Sequence, residues 1–307
     1  MKKVISIFLS VLTVFFAFTG CSSNSNKINE LVTEQDVQVN YTLSYTFDSH
    51  YSQISQSSVR AYETLCSAVV NYESQASFNT ALMDDVNKLF YSSFPLSVLV
   101  DKIELNSDKS GVAIKYKNDK NTHFQLVNEF NDKINQILSD CGKGTVSNDV
   151  FLLNLYSYVG QNIKVSSSYN SIFDAVVNGI GFASSYANTL SFLLLQSGFK
   201  SAVVNSTNEN GIAFMVETDF NGKTYYFNPY NEVVSTSGKG LTSFALTLNE
   251  LNDLGYGEVS YSDGISVTST NNDSSFPALR NTSSYSVENN VLLATQNNGE
   301  IVQIALK

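Results

Sequence analysis

Cysteine and histidine are scarce in this chain of 307 residues, which has three of the first and two of the second. Cys66 and Cys141 fall on the apolar stripes of predicted helices, where a buried thiol is inert. His50 is expected in a surface loop and His123 on a solvated helix flank. The stretch from Gly179 to Leu190, GIGFASSYANTL, has the outline of a reactive centre without the reactive group. A Gly-x-Gly turn runs into a helix whose first turn carries Phe182 and Ala183. The positive end of a helix dipole favours a thiolate at such a place, and an adjacent strand can supply the base. Ser184 and Ser185 are the nearest hydroxyls, but a serine needs a base within hydrogen-bond reach, and both histidines lie in the first half of the chain. Gly179 and Gly181 read as a tight turn, since a nucleotide loop would need a third glycine and a preceding strand.

The elements that must position this turn follow from hydrophobic period. VQVNYTLSYTFD alternates Val37, Val39, Tyr41, Leu43, Tyr45 and Phe47 on one face, as a half-buried strand does. Helical stripes follow through Val59, Tyr62, Cys66, Val69 and Val70, then through Leu82, Val86, Leu89 and Phe90 up to Pro95. Two strands flank the turn in VLVDKIELNSDKSGVAIKYK. A long helix runs from near Thr122 to Cys141 with Phe124, Val127, Phe130, Ile134, Ile137 and Leu138 inward, and Gly142 stops it. Ser147 caps an apolar helix over Val150 to Val159. The helix after Gly181 ends at Gly198, and KSAVVNS, GIAFMVETD and KTYYFNP follow as strands, with Asn221-Gly222 as a hairpin turn. Beyond Pro229 come a loop, a short helix in TLNELNDLGY, and a C-terminal hairpin about Asn298-Gly299.

From about Asn154 to Tyr230 the order of segments resembles the transglutaminase-like domain of exported bacterial proteins, in the papain-like superfamily. The segments are IFDAVVNGIGFASSYA, then NGIAFM, then YYFNPYNE. A weaker likeness extends from about Val37 to Tyr256. The resemblance implies an α+β fold: a papain-like core with its active-site helix on an antiparallel sheet, an N-terminal α+β region and a β-rich C-terminus. The divisions expected are 1–20 signal peptide, 21–35 tether, 36–145 N-terminal region, 146–256 transglutaminase-like domain and 257–307 C-terminal segment. Carried over by position, the family's cysteine falls on Ala183, its histidine on Ile212 and its aspartate on Asn228. None of the three suits the chemistry, and loss of such groups costs a hydrolase on the order of a millionfold in turnover. The implied protein is therefore a catalytically inactive relative in which Ala183 and Ile212 pack together and fill the former cleft. An enzyme with a displaced site and an assembly partner of an active relative are the alternatives.

Two further sets of residues carry weaker signals. Asp84, Asp85 and Asp219 read as solvated surface acids. Tyr225, Tyr226, Phe227 and Tyr230 offer an aromatic platform for glycan or peptide on whichever face of the strand is not core.

Met1-Lys2-Lys3 followed by an uncharged run from Val4 to Phe18 is a signal peptide. Its end, FTGC, resembles a bacterial lipobox, with cleavage before Cys21 and lipidation of its thiol by diacylglycerol and fatty acid such as palmitate. Phe18 stands where leucine is usual. The expected location is the outer face of the cytoplasmic membrane of a bacterium, of the Gram-positive kind, and the expected partners are that membrane and a cell-wall or extracellular polymer or protein. Without Lys2 and Lys3 the formal charge moves from −10 to −12, which excludes nucleic acid as a partner on electrostatic grounds. No cofactor is expected. The cysteine spacing fits no metal site, and Cys66 and Cys141 are expected as buried free thiols, with a disulfide as the alternative.

Overall fold

A computed structural model describes residues 41–268, 271 and 276–307. The signal peptide, Cys21, the tether and the expected strand residues Val37 and Val39 lie outside the described residues. The chain divides into Met1–Val37 and one compact unit, Gln38–Lys307. Residues of the N-terminal, central and C-terminal regions contribute to a single main core within that unit.

The first half holds α1 (Gln56–Val70), β1 (Gln75–Ser77), α2 (Met83–Ser93), β2 (Val100–Leu105), β3 (Gly111–Tyr116) and α3 (Lys120–Asp140). The strands form a sheet in the order β1-β3-β2. Then come α4 (Asn148–Asn162), β4 (Lys164–Val165), β5 (Ile180–Gly181) and α5 (Ala183–Gln196). An antiparallel sheet follows from β6 (Ser201–Asn208), β7 (Gly211–Phe220) and β8 (Lys223–Phe227), and α6 (Pro229–Thr236) and α7 (Leu248–Asp253) come next. The short strand β9 (Ser260–Tyr261) closes that sheet in the order β8-β7-β6-β9. The chain ends in β10 (Thr282–Glu288), β11 (Val291–Gln296) and β12 (Ile301–Ala305), a three-stranded sheet. This is the α+β fold expected, with a central helix packed on an antiparallel sheet.

Local signals explain most of these elements. Ser147 Oγ accepts the Val150 N–H as N-cap of α4. Thr247 and Glu250 form a reciprocal capping box on α7, satisfying two otherwise orphaned donors. Asn221 and Gly222 both take positive φ at the β7–β8 turn, as a two-residue hairpin with the twist of its strands requires.

The segment Tyr41–Phe47 was expected as a strand. Its aromatic and leucine side chains do pack on the core, on alternate residues, but its backbone joins no sheet. It is held by side chains, as a strap across the far end of α5. Gln196 Oε1 accepts the Tyr41 hydroxyl and the Ser44 N–H, each at 3.0 Å, and Gln196 Nε2 donates to Ser44 O at 2.8 Å and Thr46 Oγ1 at 2.6 Å. Asp48 then accepts the Val203 N–H of β6 at 2.7 Å.

A second polar network fixes the end of β8. The buried Glu232 carboxylate accepts four hydrogen bonds: from Tyr156 Oη (2.9 Å), Ser243 N (2.8 Å), Thr236 Oγ1 (2.8 Å) and Thr242 Oγ1 (3.1 Å). Arg280 grips the same loop from its other side, donating to Phe244 O at 2.7 Å, Ala245 O at 3.0 Å and Glu250 Oε1 at 3.1 Å. Burial pushes the Tyr156 phenol well above its ordinary pKa, and the adjacent Glu232 carboxylate adds to the shift.

Each donor orphaned by loss of the carboxylate costs about 1–3 kcal/mol. Glu232→Ala is therefore expected to lower unfolding free energy in urea by roughly 3 kcal/mol or more, and Tyr156→Phe by about 1 kcal/mol. Equal, small effects of the two changes would show that Glu232 does not organise the loop.

Candidate functional site

The turn before α5 is built by short-range hydrogen bonds. Asp174 accepts the Ser171 N–H at 3.0 Å and the Ser171 hydroxyl at 2.7 Å. The π-type turn Asp174–Asn178 ends at Gly179, whose φ of 62° lies in the left-handed region, where glycine carries no Cβ penalty. Gly181 is required for a different reason. A Cβ there would stand 2.8 Å from the Ile163 side chain and 3.1 Å from Ser185 Cβ. That close approach lets β5 run parallel to β4, with Lys164 N donating to Gly179 O and Ser166 N to Gly181 O, both at 2.8 Å.

Ser185 locks the helix start. Its Oγ accepts the Phe182 N–H at 3.1 Å and donates to Asn170 O at 2.6 Å. Its hydroxyl proton is thus committed to a carbonyl, and the side chain is fully buried. Tyr186 donates to Ile163 O at 2.6 Å and meets Tyr230 edge-on at 5.5 Å.

Ala183 opens α5 and is 8% exposed. Ile212 sits near the start of β7, paired with Thr207. Strand alternation puts it on the same face as Phe214, Val216 and Phe220, and those three belong to the main core together with α5. Asn228 follows β8 and caps α6, its Oδ1 accepting the Asn231 N–H at 2.9 Å. The three positions therefore lie at a helix start, on the helix-facing side of the next hairpin, and at the end of the following strand. One expectation fails. Ile212 is 63% exposed, so it does not pack with Ala183 to fill a cleft. It lies at the open end of the hairpin, beyond the core residues of its own face. Helical period places Phe182 among the buried residues, but as the residue before the first turn of α5 it is 37% exposed, and with Ile180, 38% exposed, it adds apolar surface at the helix start.

The aromatic platform is also corrected. Tyr225, Tyr226 and Phe227 are all buried, with Tyr225 and Phe227 in the main core and Tyr226 in a smaller cluster with Val204, Met215 and Leu251. Both faces of β8 are covered, so neither is free for a ligand. Cys66 and Cys141 are buried free thiols, with burial raising both pKa values, that of Cys141 to about 12. Asp85 accepts the Ser58 hydroxyl at 2.7 Å, and Asp219 accepts that of Thr224 at 2.8 Å.

Both histidines are more enclosed than expected. His50 lies in the turn Ser49–Gln53, its ring stacked on Tyr261 at 3.9 Å and its Nε2 bonded to Asp263 Oδ2 at 2.7 Å. Burial raises the pKa of the neighbouring Asp48 and Glu217 carboxyls. These partners come from distant parts of the chain, so no local pattern announced them. His123 is fully buried, edge-on to Tyr72 and Tyr116 at 5.1 and 4.9 Å, with Nε2 donating to Val69 O at 2.7 Å. Each histidine is thus engaged away from α5. Among the described residues no three His, Cys, Asp or Glu side chains come together to hold a metal, and no helix is long and apolar enough to cross a membrane.

No protein-family model and no curated protein matches the sequence. Among solved structures the chain is similar to a TGase, with 11% identity over 39% of this chain and 35% of that one, at a TM-score of 0.32. It is similar to a Cytophaga hutchinsonii protein assigned as a cysteine protease, with 13% identity over 51% and 58% of the two chains at a TM-score of 0.30. Legionella pneumophila LapG in its calcium-bound form shares 14% identity over 53% of this chain and 91% of LapG, at a TM-score of 0.32. The chain spans 35% and 58% of the lengths of the first two. At these values the likeness is one of backbone course and says nothing of activity.

Burial lowers the His123 pKa from its ordinary value near 6.5. The folded state therefore binds this proton less readily than the unfolded chain, and stability is lost as pH falls below about 6.5. The penalty of His123→Gln, read by urea denaturation, should shrink between pH 8 and pH 5. A penalty that stays constant or grows towards acid would contradict the burial of a neutral ring.

Proposed function

We propose that this chain is an exported, lipid-anchored protein of the transglutaminase-like kind, without catalytic activity, that serves as a binding or scaffolding module at the cell surface. The observation that carries the reading is the identity of the residues at three positions of an otherwise catalytic layout. The helix start offers the methyl group of Ala183, the facing strand offers Ile212, and the next strand end offers Asn228. No group there can attack a carbonyl, take a proton or balance an imidazolium. Ser185 does not replace them, since its hydroxyl is spent on Asn170 O. Asn228 has a structural duty as the cap of α6.

The binding side of the reading rests on exposed apolar side chains, Ile180 and Phe182 at the helix start and Ile212 at the open end of the hairpin. Cell-wall or extracellular polymer, or a protein associated with it, is the proposed ligand. Cys21, at the end of the apolar leader, is the proposed site of lipidation and of attachment to the outer face of the membrane.

Amine-incorporation and peptide-hydrolysis assays should show no turnover above background. Phe182→Ala and Ile212→Ser should each weaken retention on isolated cell-wall material by about tenfold, the loss of some 1.4 kcal/mol, with unchanged circular dichroism. Palmitate labelling in cells should vanish in Cys21→Ser. Turnover that a substitution at Ala183 abolishes would overturn the inactive reading. Ala183→Cys alone should restore no turnover, because neither Ile212 nor Asn228 supplies a base to a thiol at that position.

A further inference from the structure

β12 is an edge of the C-terminal sheet, and its hydrogen bonding divides cleanly by residue number. Gln296 N donates to Glu300 O at 2.8 Å and Leu306 N to Asn290 O at 2.7 Å. With the register Ala294↔Val302 and Leu292↔Ile304, the even-numbered residues of β12 turn their backbone groups toward β11. An antiparallel ladder alternates, so the N–H and C=O groups of Ile301, Gln303 and Ala305 point to the open side. Among the described residues no group is hydrogen-bonded to them. The side chains alternate as well. Val302 and Ile304 pack against the core, and Ile301, Gln303 and Ala305 are exposed, Ile301 by 61%.

Natural edge strands are guarded by charge, proline, a bulge or a covering segment. From Ile301 to Ala305 there is no charge and no proline, and the β11–β12 register runs without a shift. The edge is also self-complementary. About a two-fold axis at Gln303, an antiparallel copy sets Ile301 opposite Ala305, Gln303 opposite its own copy, and Ala305 opposite Ile301. These are the residues with free backbone groups, so each facing pair exchanges both of its N–H···O bonds. A large side chain faces a small one on each flank, and the two Gln303 amides meet at the axis. The free edge ends at Lys307, whose N–H donates to Asp149 Oδ2 at 3.1 Å and whose C=O accepts the Asp149 N–H at 3.2 Å, so the pairing is confined to Ile301–Ala305. The remaining surface carries a strong excess of acid and repels a second copy elsewhere.

We infer that β12 is a homodimer interface, where two copies of this chain pair edge to edge and join their C-terminal sheets into one continuous sheet.

The unit Gln38–Lys307, which contains all of the described core, is suited to the test by size-exclusion chromatography with light scattering over a roughly hundredfold concentration range. A mass of two chains is expected. Gln303→Pro removes an outward N–H without breaking an internal bond, and Gln303→Lys sets like charges against each other at the axis; both should give monomers with unchanged circular dichroism. Gln303→Cys should form a disulfide-linked dimer on mild oxidation, since directly facing residues lie within disulfide reach, whereas Ser284→Cys on β10 should not. A monomer at every concentration overturns the inference. So does a dimer that survives Gln303→Lys and fails to cross-link through Gln303→Cys, which would place the contact elsewhere. Oligomers that grow without limit would indicate pairing of β12 with β10 of the next copy, and they overturn it too.

Discussion

Helix α5 has no solvent face, and the rest of the structure is arranged around that constraint. Nearly every residue from Ala183 to Gln196 is buried, serines and threonine included. A helix that is apolar all round is unstable until it is covered on every side. Here β6 and β7 cover one side, α4 and α6 others, and the Asp174–Asn178 turn its start. The strap held by Gln196 closes the remaining end. Some polar groups inside this shell are paired, Ser191 with Ser201 at 2.9 Å and Gln196 with the strap, whereas the buried Thr189 hydroxyl has no hydrogen-bond partner among the described residues. The start of α5 is where the cover thins, and Phe182 and Ile180 come to the surface there.

The loop that follows β8 shows how a buried charge is made tolerable. Among the described residues Glu232 forms no ion pair. Its oxygens are satisfied by hydroxyls and one backbone N–H from three different segments, and hydrogen bonds to the charged form offset part of its desolvation. Because Asn228 N donates to Ser243 O at 3.0 Å and Asn231 Nδ2 to Ser243 Oγ at 2.7 Å, the same carboxylate also fixes the end of β8. The Asn228 position is therefore held rigidly.

Much of this was legible in the sequence where a local rule had one solution. Ser147, Thr247 and Asn221-Gly222 each announce a cap or a turn whose partners lie within a few residues. What escaped depends on distant partners. The three-residue β1 exists through its pairing with β3; β10 is a different case, a local hairpin with β11 across Asn289-Asn290, masked by its serines. The loop expected beyond Pro229 is helix α6, with the proline in its first turn, where proline is well tolerated. His123, expected on a solvated flank, lies on the buried stripe of α3, and Phe124 is only half-buried. The resemblance pointed to Ala183, Ile212 and Asn228, and the expected packing of Ala183 with Ile212 fails because the core stops short of Ile212, which is 63% exposed.

The strap has a mechanical meaning. Any pull on the chain from the N-terminal side of Tyr41 reaches the fold first where the Tyr41 N–H meets Asn135 Oδ1 and where Tyr41, Ser44 and Thr46 bond to Gln196. These bonds sit side by side along a short segment, and the next grip, Asp48 on β6, lies behind them. Tension along the segment would load them nearly together, in shear, and would spare the start of α5 at the opposite end of the helix. A domain fastened in this way can be dragged by one end while the other keeps its shape.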